Sequence, residues 1–387
     1  MSLHDLKKSF LVLKDSIRHF ISRSMYDFKS SEEPFSPTGL KKAVIYRADG
    51  KLGDAVCFLP FIRELRRFSP DCEITVLSNS NTAQIYEAAD FIDKVIIFPK
   101  KPKNHETDKY AAELHGCDLY IHLFEKLKGR HLRLINRIHP KWIATLDKSL
   151  KCDNLGIYEY TSSVDERGLT WEQSEKCLHI TDLLFRILEK GGIAPDDIDR
   201  SYFRMFADDI PAAGPRFAFL KSPENRPGEK TVIFNPYGAS SSRRFTDGCI
   251  INVTKELLEK TDMHVVLWTG PADRERGERL LADNFGNNGR VSVTGVLSSA
   301  REIITAMASC DAMIGVDTGS AHVAACFDIP ELTFYGNNPA NYSRWYAKAP
   351  KAVNVILKTA NFAEAESSEL TEAVRNFIGD PAESSRP

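Results

Sequence analysis

Two patterns of hydrophobic and polar positions alternate along most of this chain. Short apolar runs such as Ala43–Arg47 and Glu73–Leu77 are followed by stretches with apolar residues at helical spacing, such as Asp54–Phe68. This alternation predicts βαβ units and mostly parallel sheets. After a Pro- and Gly-rich passage at 211–228, the same rhythm restarts with Thr231–Phe234. The pattern predicts two Rossmann-like α/β domains, with ligands bound outside the carboxyl ends of the strands, in the cleft between the domains.

The remaining predicted elements continue this alternation. Further strands are predicted at Lys94–Phe98, Cys117–Leu123, Lys141–Ala144, His264–Trp268, Ala312–Val316 and Glu331–Phe334. Further helices are predicted at Asn81–Ala89, Glu172–Lys190, Ile250–Lys260, Arg274–Phe285, Ala300–Ser309 and Ala363–Ile378. The predicted segments are an N-terminal extension and linker (1–40), a first domain (41–210), a second domain (211–360) and a C-terminal helix and tail (361–387).

The N-terminal extension contains an amphipathic helical pattern. Its apolar stripe consists of Leu6, Phe10, Leu13, Ile17, Phe20 and Ile21. Residues Met1–Ser30 contain six Lys or Arg against three Asp, a net charge of +3. Such a helix can lie in a membrane interface beside anionic lipids, or it can pack its apolar stripe on the body of its own protein. The sequence leaves both interpretations open.

Composition excludes several classes of protein. The chain has 387 residues, of which 42% are hydrophobic and 27% charged, so it is predicted to fold rather than to be disordered. A net charge of −2 gives no global basic character, and a nucleic-acid partner is not expected. The eight cysteines are scattered, which predicts reduced thiols in a cytosolic protein. No apolar run approaches the length of a membrane span, and no secretion signal is evident.

The first candidate for chemistry is the segment Ala48–Asp54, directly after the first predicted strand. Gly50 and Gly53 permit a tight turn, and Asp54 opens the next helix. A carboxylate here can accept a proton from a hydroxyl nucleophile, or it can simply cap the helix. Asp49, in the same loop, is a rival for the role of base.

The second candidate is the loop Asn235–Phe245, which follows the first strand of the second domain. Its phosphate-binding candidates are Gly238, Ser240, Ser241, Ser242 and Arg243, with Arg244 as a further cation. Hydroxyl donors and a planar guanidinium suit a phosphate group. The alternative is an exposed polar loop without a ligand.

The third candidate is the segment Gly315–Ala325, where a predicted strand passes through a turn into a helix of small residues. Asp317 lies in the turn, and the backbone amides of Thr318 and Gly319 are suited to a diphosphate. His322, one turn into the helix, is a further candidate ligand, although a single histidine there can also be a buried structural residue.

A block of positive charge follows the strand near residue 120. It comprises Lys126, Lys128, Arg130, Arg133, Arg137 and Lys141, and no acidic residue lies between them. The block can be a solvated face, or it can bind a multiply anionic partner in the first domain.

Several of these motifs, in the same order, resemble those of the lipopolysaccharide heptosyltransferases, glycosyltransferase family 9. Leu52–Val56, Leu59-Pro60 and Ile62–Leu65 are similar to the N-terminal signature of this family. Asn235–Phe245 resembles its nucleotide-sugar phosphate loop, and Gly315–His322 its most distinctive segment. Ordered multiple matches are more specific than any single motif.

This resemblance implies a GT-B fold with a C-terminal helix that crosses back. It implies an acceptor-binding first domain and a nucleotide-sugar-binding second domain. The implied donor is ADP-L-glycero-D-manno-heptose, and the implied acceptor is the Kdo or heptose inner core of lipid A. Asp54 matches the general base, and Arg243 stands where the family often has a phosphate-binding Lys. Asp317, Thr318, Gly319 and His322 match the donor-binding turn.

Two departures accompany the resemblance. Phe245-Thr246 stands where many members have Trp-Pro, and the basic N-terminal extension is not part of the common pattern. The resemblance predicts an inverting transfer without a metal or other cofactor, in a cytosolic protein that can associate with the cytoplasmic face of the inner membrane. The acceptor is expected at Lys126, Lys128, Arg130, Arg133 and Arg137. A related transferase, a nucleotide-sugar epimerase and a non-catalytic nucleotide-sugar-binding protein are the alternatives.

Overall fold

Two separate parallel sheets form the framework of the protein. The computed structural model describes residues 3–123, 127–161, 169–202, 205–206, 215–224, 226–286 and 288–379, without the side chains of 3–9, 11–13 and 215–216. The first sheet has the order β3-β2-β1-β4-β5, and the second has the order β11-β10-β9-β6-β7-β8. All described strand pairs in both sheets are parallel. This is the predicted α/β architecture of two Rossmann-like halves.

The strands fall within the two predicted domains. Those of the first sheet are β1 (Lys42–Arg47), β2 (Glu73–Ser78), β3 (Lys94–Ile97), β4 (Leu119–His122) and β5 (Trp142–Thr145). Those of the second sheet are β6 (Thr231–Asn235), β7 (His264–Leu267), β8 (Val291–Val293), β9 (Ala312–Val316), β10 (Glu331–Tyr335) and β11 (Ala352–Ile356). The sequence pattern missed β8 and β11, in which only Val353 is buried and which include polar residues.

Helices cover both sheets. In the first half they are α1 (Leu3–Tyr26), α2 (Leu52–Val56), α3 (Leu59–Phe68), α4 (Ala83–Glu87), α5 (Asn104–Leu114), α6 (Gly129–Ile138), α7 (Trp171–Ser174) and α8 (Ile180–Lys190). In the second half they are α9 (Asp247–Lys260), α10 (Arg274–Phe285), α11 (Ala300–Ala308), α12 (Gly319–Ala325), α13 (Pro339–Trp345) and α14 (Ser367–Gly379). Among the described residues, no helix is both long and apolar enough to cross a bilayer.

Burial explains why the strands are the most regular part of the sequence pattern. In β1, every residue after Lys42 is buried, and β6 is buried throughout. A parallel strand covered by helices on both faces reads as a continuous apolar run, which is what the sequence contains. The structure also leaves all eight cysteines as free thiols.

Two predicted helices are interrupted, and the first of them, Asp54–Phe68, is divided between α2 and α3. The single helix predicted at Glu172–Lys190 is two helices, α7 and α8, separated by a short irregular segment. His179 begins the second of these, because its Nδ1 accepts the backbone N–H of Thr181 at 3.3 Å. A side chain that satisfies an amide at a helix N-terminus favours a new start there over continuation of the preceding helix.

The predicted position of the C-terminal helix is wrong. Instead of crossing back to the first domain, α14 packs on α9 within the second half. Leu370, Val374 and Phe377 of α14 are buried in the core cluster that includes α9. Arg375 also forms an ion pair with Glu256 of α9 at 2.9 Å. The apolar face of α14 is thus covered by α9 of the same domain. The tail beyond residue 379 lies outside the described residues.

Other segments join the two halves. His179 at the start of α8 is hydrogen-bonded through Nε2 to the carbonyl of Tyr346, at 3.1 Å. Asp182 of α8 forms an ion pair with Lys348 at 2.6 Å. These contacts connect α8, which packs on α3 of the first half, to the segment after α13 of the second half.

The N-terminal helix does not bury its apolar stripe. Helix α1 packs along α6, yet Phe10, Ile17, Phe20 and Ile21 are all exposed. The side chains of Leu6 and Leu13 lie outside the described residues. The interpretation in which this stripe packs on the body of the protein is therefore wrong for the described side chains.

Candidate active site between the two domains

The loop after β1 positions two carboxylates through a buried arginine. Arg47, the last residue of β1, is buried and donates to Asp49 Oδ2 at 2.9 Å and to Asp54 Oδ2. Lys51 Nζ lies 3.8 Å from the same Asp54 oxygen. Lys51 occupies the N-cap position of α2, with Asp54 in the first turn. Asp54 is therefore held by a charged pair and not by the capping bond that was the alternative interpretation.

The loop after β6 folds back on itself and presents Arg243. The backbone N–H of Gly238 donates to the carbonyl of Arg243 at 2.7 Å, and a Cβ on Gly238 would lie 2.6 Å from that oxygen. Arg243 Nε donates to Ser240 Oγ at 3.2 Å, and Ser240 Oγ lies 3.0 Å from Ser242 Oγ. The loop is thus ordered by its own hydrogen bonds, with Ser241 between these two serines.

The loop after β6 and the turn after β9 converge. Arg243 forms an ion pair with Asp317, with 2.9 Å between Nη1 and Oδ2, and donates to the carbonyl of Asp317 at 3.2 Å. Asn341 of α13 donates to the same carboxylate oxygen at 2.6 Å. Below them, Asn235 Nδ2 donates to Ser320 Oγ at 2.8 Å. The predicted donor-binding residues therefore form one connected cluster at the carboxyl ends of β6 and β9.

The two halves meet where α2 touches α12. A Cβ on Gly53 would lie 3.2 Å from Gly319 Cα and 2.6 Å from a ring carbon of His322. Conversely, a Cβ on Gly319 would lie 2.8 Å from the backbone nitrogen of Gly53. Only residues without a side chain allow this approach. It places Asp54, the next residue, beside the turn that contains Asp317, Thr318 and Gly319.

His322 lies inside this contact. It is buried, and its Nδ1 lies 3.6 Å from Cys57 Sγ, at the end of α2. Burial lowers the pKa of His322 to about 4, so the ring is neutral near pH 7. The structure gives this histidine a packing role between the domains. Its role as a donor ligand stays a prediction.

The basic block is divided by the direction of α6. This helix starts after the carboxyl end of β4 and returns to the start of β5. Lys128, which is exposed, and Arg130 lie at its first turn, at the sheet edge where β1 presents Arg47. Lys126 lies outside the described residues. Arg137 is in the last turn, roughly 10 Å further along the helix.

Tertiary contacts supply the acidic partners that the local sequence lacks. Asp108 of α5 lies 2.6 Å from Arg133 Nη2 and 3.6 Å from Arg137 Nε. Glu33, in the linker, pairs with Lys141 at 2.6 Å. These three cations thus have structural partners, and the surface that faces the carboxyl edge is that of Lys128 and Arg130.

A buried layer connects this surface to the carboxylates. Tyr46 stacks on His122 with 4.0 Å between ring centroids, and His122 lies 4.7 Å from His131, which follows Arg130. Burial lowers the pKa of His131 to about 3, so this ring is neutral. Arg47, next to Tyr46, and Arg130, next to His131, therefore both adjoin this uncharged layer in the sequence, at the same edge of the sheet.

Sequence reasoning missed three features of the site. The first is Arg47, which the sequence pattern predicts only as a strand end, although a charged residue at the end of an apolar run is a recognisable signal. Asn341 carries no local signal. The third feature is a pocket at the carboxyl ends of β7 and β8, whose lining includes Thr269, Gly270, Arg274, Thr294 and Leu297.

Comparisons with known proteins find similar glycosyltransferases. Residues 223–372 match the sequence model of glycosyltransferase family 9 (heptosyltransferase). The chain is 25% identical over 339 residues to a Haemophilus influenzae protein named "Putative glycosyltransferase", covering 85% of this chain and 91% of that protein. It is 21% identical to an Escherichia coli protein named "Putative lipopolysaccharide heptosyltransferase 4", covering 96% of each chain.

A solved structure supports the fold. The structure of E. coli ADP-heptose LPS heptosyltransferase II superposes with a TM-score of 0.63, at 15% identity, over 88% of this chain and 98% of that one. At this identity the likeness concerns the fold, which is GT-B, with two Rossmann-like domains facing a cleft. Together with the family match, the conclusion is that this chain is a glycosyltransferase whose residues 223–372 match glycosyltransferase family 9 (heptosyltransferase).

Proposed function

We propose that this enzyme transfers a heptose, with inversion, from ADP-L-glycero-D-manno-heptose to the Kdo or heptose inner core of lipopolysaccharide. The observation that carries the proposal is the contact of Gly53 with Gly319, which brings the loop that contains Asp54 to the turn that contains Thr318 and Gly319. The family match and the names of the similar heptosyltransferases support the donor and acceptor classes.

Asp54 is the proposed base. The hydroxyl oxygen of the acceptor attacks the anomeric carbon of the donor, the bond from that carbon to the diphosphate oxygen breaks, and Asp54 takes the hydroxyl proton. The described ion contacts of Asp54, from Arg47 and Lys51, both fall on Oδ2. We therefore assign proton acceptance to Oδ1. Arg47 acts as a positioning residue, since its burial fixes the carboxylate.

Arg243 is the proposed partner of the leaving diphosphate. Its side chain is about one-third exposed. Its guanidinium donates through Nε to Ser240 Oγ, which is in turn hydrogen-bonded to Ser242 Oγ. Positive charge and hydroxyl donors fixed in advance stabilise the charge that develops on the diphosphate. When Arg243 turns to the phosphate, Asn341 still donates to Asp317, so this buried carboxylate keeps a partner. The amides of Thr318 and Gly319 and the ring of His322 remain predicted contacts.

The proposed binding sites of the adenine and of the acceptor complete the proposal. We propose that the pocket beside Gly270 and Leu297 takes the adenine, because it lies at the carboxyl edge of the same sheet as Arg243. We propose Lys128 and Arg130 as contacts for the phosphate or carboxylate groups of the acceptor. The reaction is proposed to proceed without a metal ion or other cofactor, in the cytosol, where Arg243 supplies the charge that a divalent cation would otherwise supply.

The experiment is a coupled assay of ADP release by the purified full-length protein. With ADP-heptose and a lipid A–Kdo acceptor, ADP and a heptosylated product should form together, also in the presence of EDTA. Omission of the acceptor should abolish product. A changed sugar without an acceptor would identify an epimerase, release of UDP from UDP-sugars would identify a different transferase, and tight binding without ADP release would identify a binding protein.

A further inference from the structure

Helix α1 is attached to the protein by its polar face. His19 Nδ1 lies 3.0 Å from the carbonyl oxygen of Leu127, and Nε2 lies 3.2 Å from Ser149 Oγ. One turn later, Ser22 is so close to Gly129 that a Cβ there would lie 2.5 Å from its hydroxyl. Further along, Arg133 donates to the hydroxyl of Tyr26 at 3.3 Å. His19, Ser22 and Tyr26 lie on one side of the helix, three and four residues apart.

The opposite side of α1 is apolar and exposed. Phe10, Ile17, Phe20, Ile21 and Met25 are each between 51% and 67% exposed. They are five of the eight large hydrophobic side chains that are exposed in the described part of the chain. A surface helix normally turns its apolar stripe inward, so this orientation is inverted. A contiguous apolar surface of this kind marks an interaction site.

The charge beside the stripe identifies the partner. Lys14 and Arg18 are exposed and flank the apolar side chains along the helix. Arg18 also lines a cleft of about 520 Å³ between α1 and α6, in which the cations Arg18, Lys128 and Arg130 outnumber the one carboxylate, Asp15. An apolar stripe flanked by cations suits the interface of an anionic membrane. A second copy of the same helix would bring Lys14 and Arg18 of both copies to one seam, where like charges repel.

The position of α1 relates this surface to the active site. Ser22 of α1 faces Gly129, the first residue of α6, and Tyr26 faces Arg133 and Asn136. The two helices therefore run in the same direction. The part of α1 before Ser22 extends beyond the start of α6, at the carboxyl edge of the sheet that presents Arg47 and Asp54.

We propose that α1 is an interfacial membrane helix, which inserts its exposed face, Phe10 to Met25, into an anionic leaflet and holds the Lys128–Arg130 surface at the head groups. The part of this inference that concerns the acceptor rests on the proposed function, because a lipid-anchored acceptor would then be delivered at the edge that carries Asp54. The membrane contact itself does not depend on the reaction.

The test uses the full-length protein and sedimentation with vesicles. Vesicles of phosphatidylcholine with one quarter phosphatidylglycerol should bind the protein, and vesicles of phosphatidylcholine alone should bind it much less. The double substitution Ile17→Ser and Ile21→Ser should weaken binding by at least about tenfold, because two exposed apolar side chains are lost. Lys14→Gln and Arg18→Gln should each weaken it by about fivefold. Ile97→Ser is the matched control, since this isoleucine is 53% exposed but lies on β3.

The outcomes separate this proposal from the proposed function. If the wild-type protein does not bind anionic vesicles, or if the serine variants bind them as tightly as wild type, the proposal of a membrane helix is overturned. A concentration-dependent dimer in ultracentrifugation that the serine substitutions dissociate would overturn it in favour of an interface between copies. With a deacylated, water-soluble acceptor the serine variants should keep wild-type activity, whereas with a vesicle-embedded acceptor they should lose most of it. Loss of transfer to both acceptors in the wild type would refute the reaction alone.

Discussion

At the scale of single residues, the site depends on a few groups whose surroundings decide what they can do. Asp49 and Asp54 share one loop and one buried partner, Arg47. Their difference lies in the neighbour: Asp54 follows Gly53, which touches the second domain. We therefore propose Asp54 rather than Asp49 as the base because of its proximity to the turn after β9, and not because of carboxylate chemistry as such.

The first prediction compares these two carboxylates. Asp54→Ala should lower kcat by a factor of about 10²–10⁴, the usual contribution of a general base, and leave donor affinity nearly unchanged. Asp49→Ala should lower kcat much less, because it perturbs only the position of Arg47. Steady-state kinetics and calorimetry with ADP measure the two effects. A larger loss of kcat from Asp49→Ala than from Asp54→Ala would exchange the roles.

The second prediction concerns His322 and acid stability. Burial lowers its pKa from about 6.5 to about 4, so between these values the unfolded chain binds a proton that the folded chain does not. The free energy of unfolding should therefore fall as the pH drops through this window, by up to about 3 kcal/mol from this residue. Unfolding in urea at about pH 7 and about pH 5 measures the difference.

The comparison of variants isolates this histidine from other groups. Burial also lowers the pKa of His131, so this residue likewise makes the free energy of unfolding fall as the pH drops. Burial raises the pKa of Asp153 to about 6, so this carboxyl makes the free energy of unfolding rise as the pH drops. His322→Gln should make the pH dependence shallower, and His105→Gln, at an exposed position, should leave it unchanged. Equal pH dependence in the wild type and His322→Gln would contradict the assignment.

At the scale of elements, the direction of a helix sorts residues that look equivalent in the sequence. The cations of α6 form one uninterrupted block in the chain, but the helix carries them from the carboxyl edge of the sheet to the opposite edge. Parallel sheets bind ligands at the carboxyl edge. Arg130 lies there, whereas Arg133 and Arg137 are paired with Asp108 of the neighbouring α5.

The third prediction follows from this division. Arg130→Glu should raise the KM for the acceptor about tenfold or more and leave the KM for the donor unchanged, because it reverses a charge at the proposed acceptor surface. Arg137→Glu introduces the same charge on the same helix and should have a much smaller effect. Initial rates with each substrate varied in turn test this. An effect of Arg130→Glu on the donor KM alone would place the surface elsewhere.

At the scale of the whole molecule, the proposed reaction requires the two domains to approach. The contact between Gly53 and Gly319 is backbone against backbone, so any side chain on Gly319 must separate the domains locally. Ion pairs such as Lys348 with Asp182 hold the halves together at a different place and do not control this distance.

The fourth prediction is a test of this approach. Gly319→Ala places a methyl group 2.8 Å from the backbone nitrogen of Gly53, and the backbone cannot move aside as a flexible side chain could. A shift of the base relative to the donor by a fraction of an ångström to an ångström should lower kcat by about 10-fold to 10²-fold. Thermal unfolding should remain close to that of wild type.

The matched control is Gly248→Ala in the first turn of α9. Its added methyl would meet no atom closer than 4.0 Å, so kcat should not change. Wild-type kcat in Gly319→Ala would show that the two turns need not touch during catalysis.

The sequence by itself determined the architecture and the motifs. Strands buried on both faces are continuous apolar runs, and the loops that carry Asp54, Arg243 and Asp317 directly follow such runs, so both fold and candidate residues could be located from local pattern. These are short-range properties, because neighbouring residues in the sequence determine both the burial of a strand and the turn after it.

Only the tertiary structure decided how these parts meet. The partners of Arg133 and Arg137 come from α5, the partner of α14 is α9, and Gly53 meets Gly319 across 266 positions of sequence. The outward orientation of the α1 stripe depends on His19, Ser22 and Tyr26 finding partners on α6 and beyond. An apolar stripe indicates that a helix has two different faces. Which face is covered depends on distant chain segments, and the local sequence pattern does not specify where these segments lie.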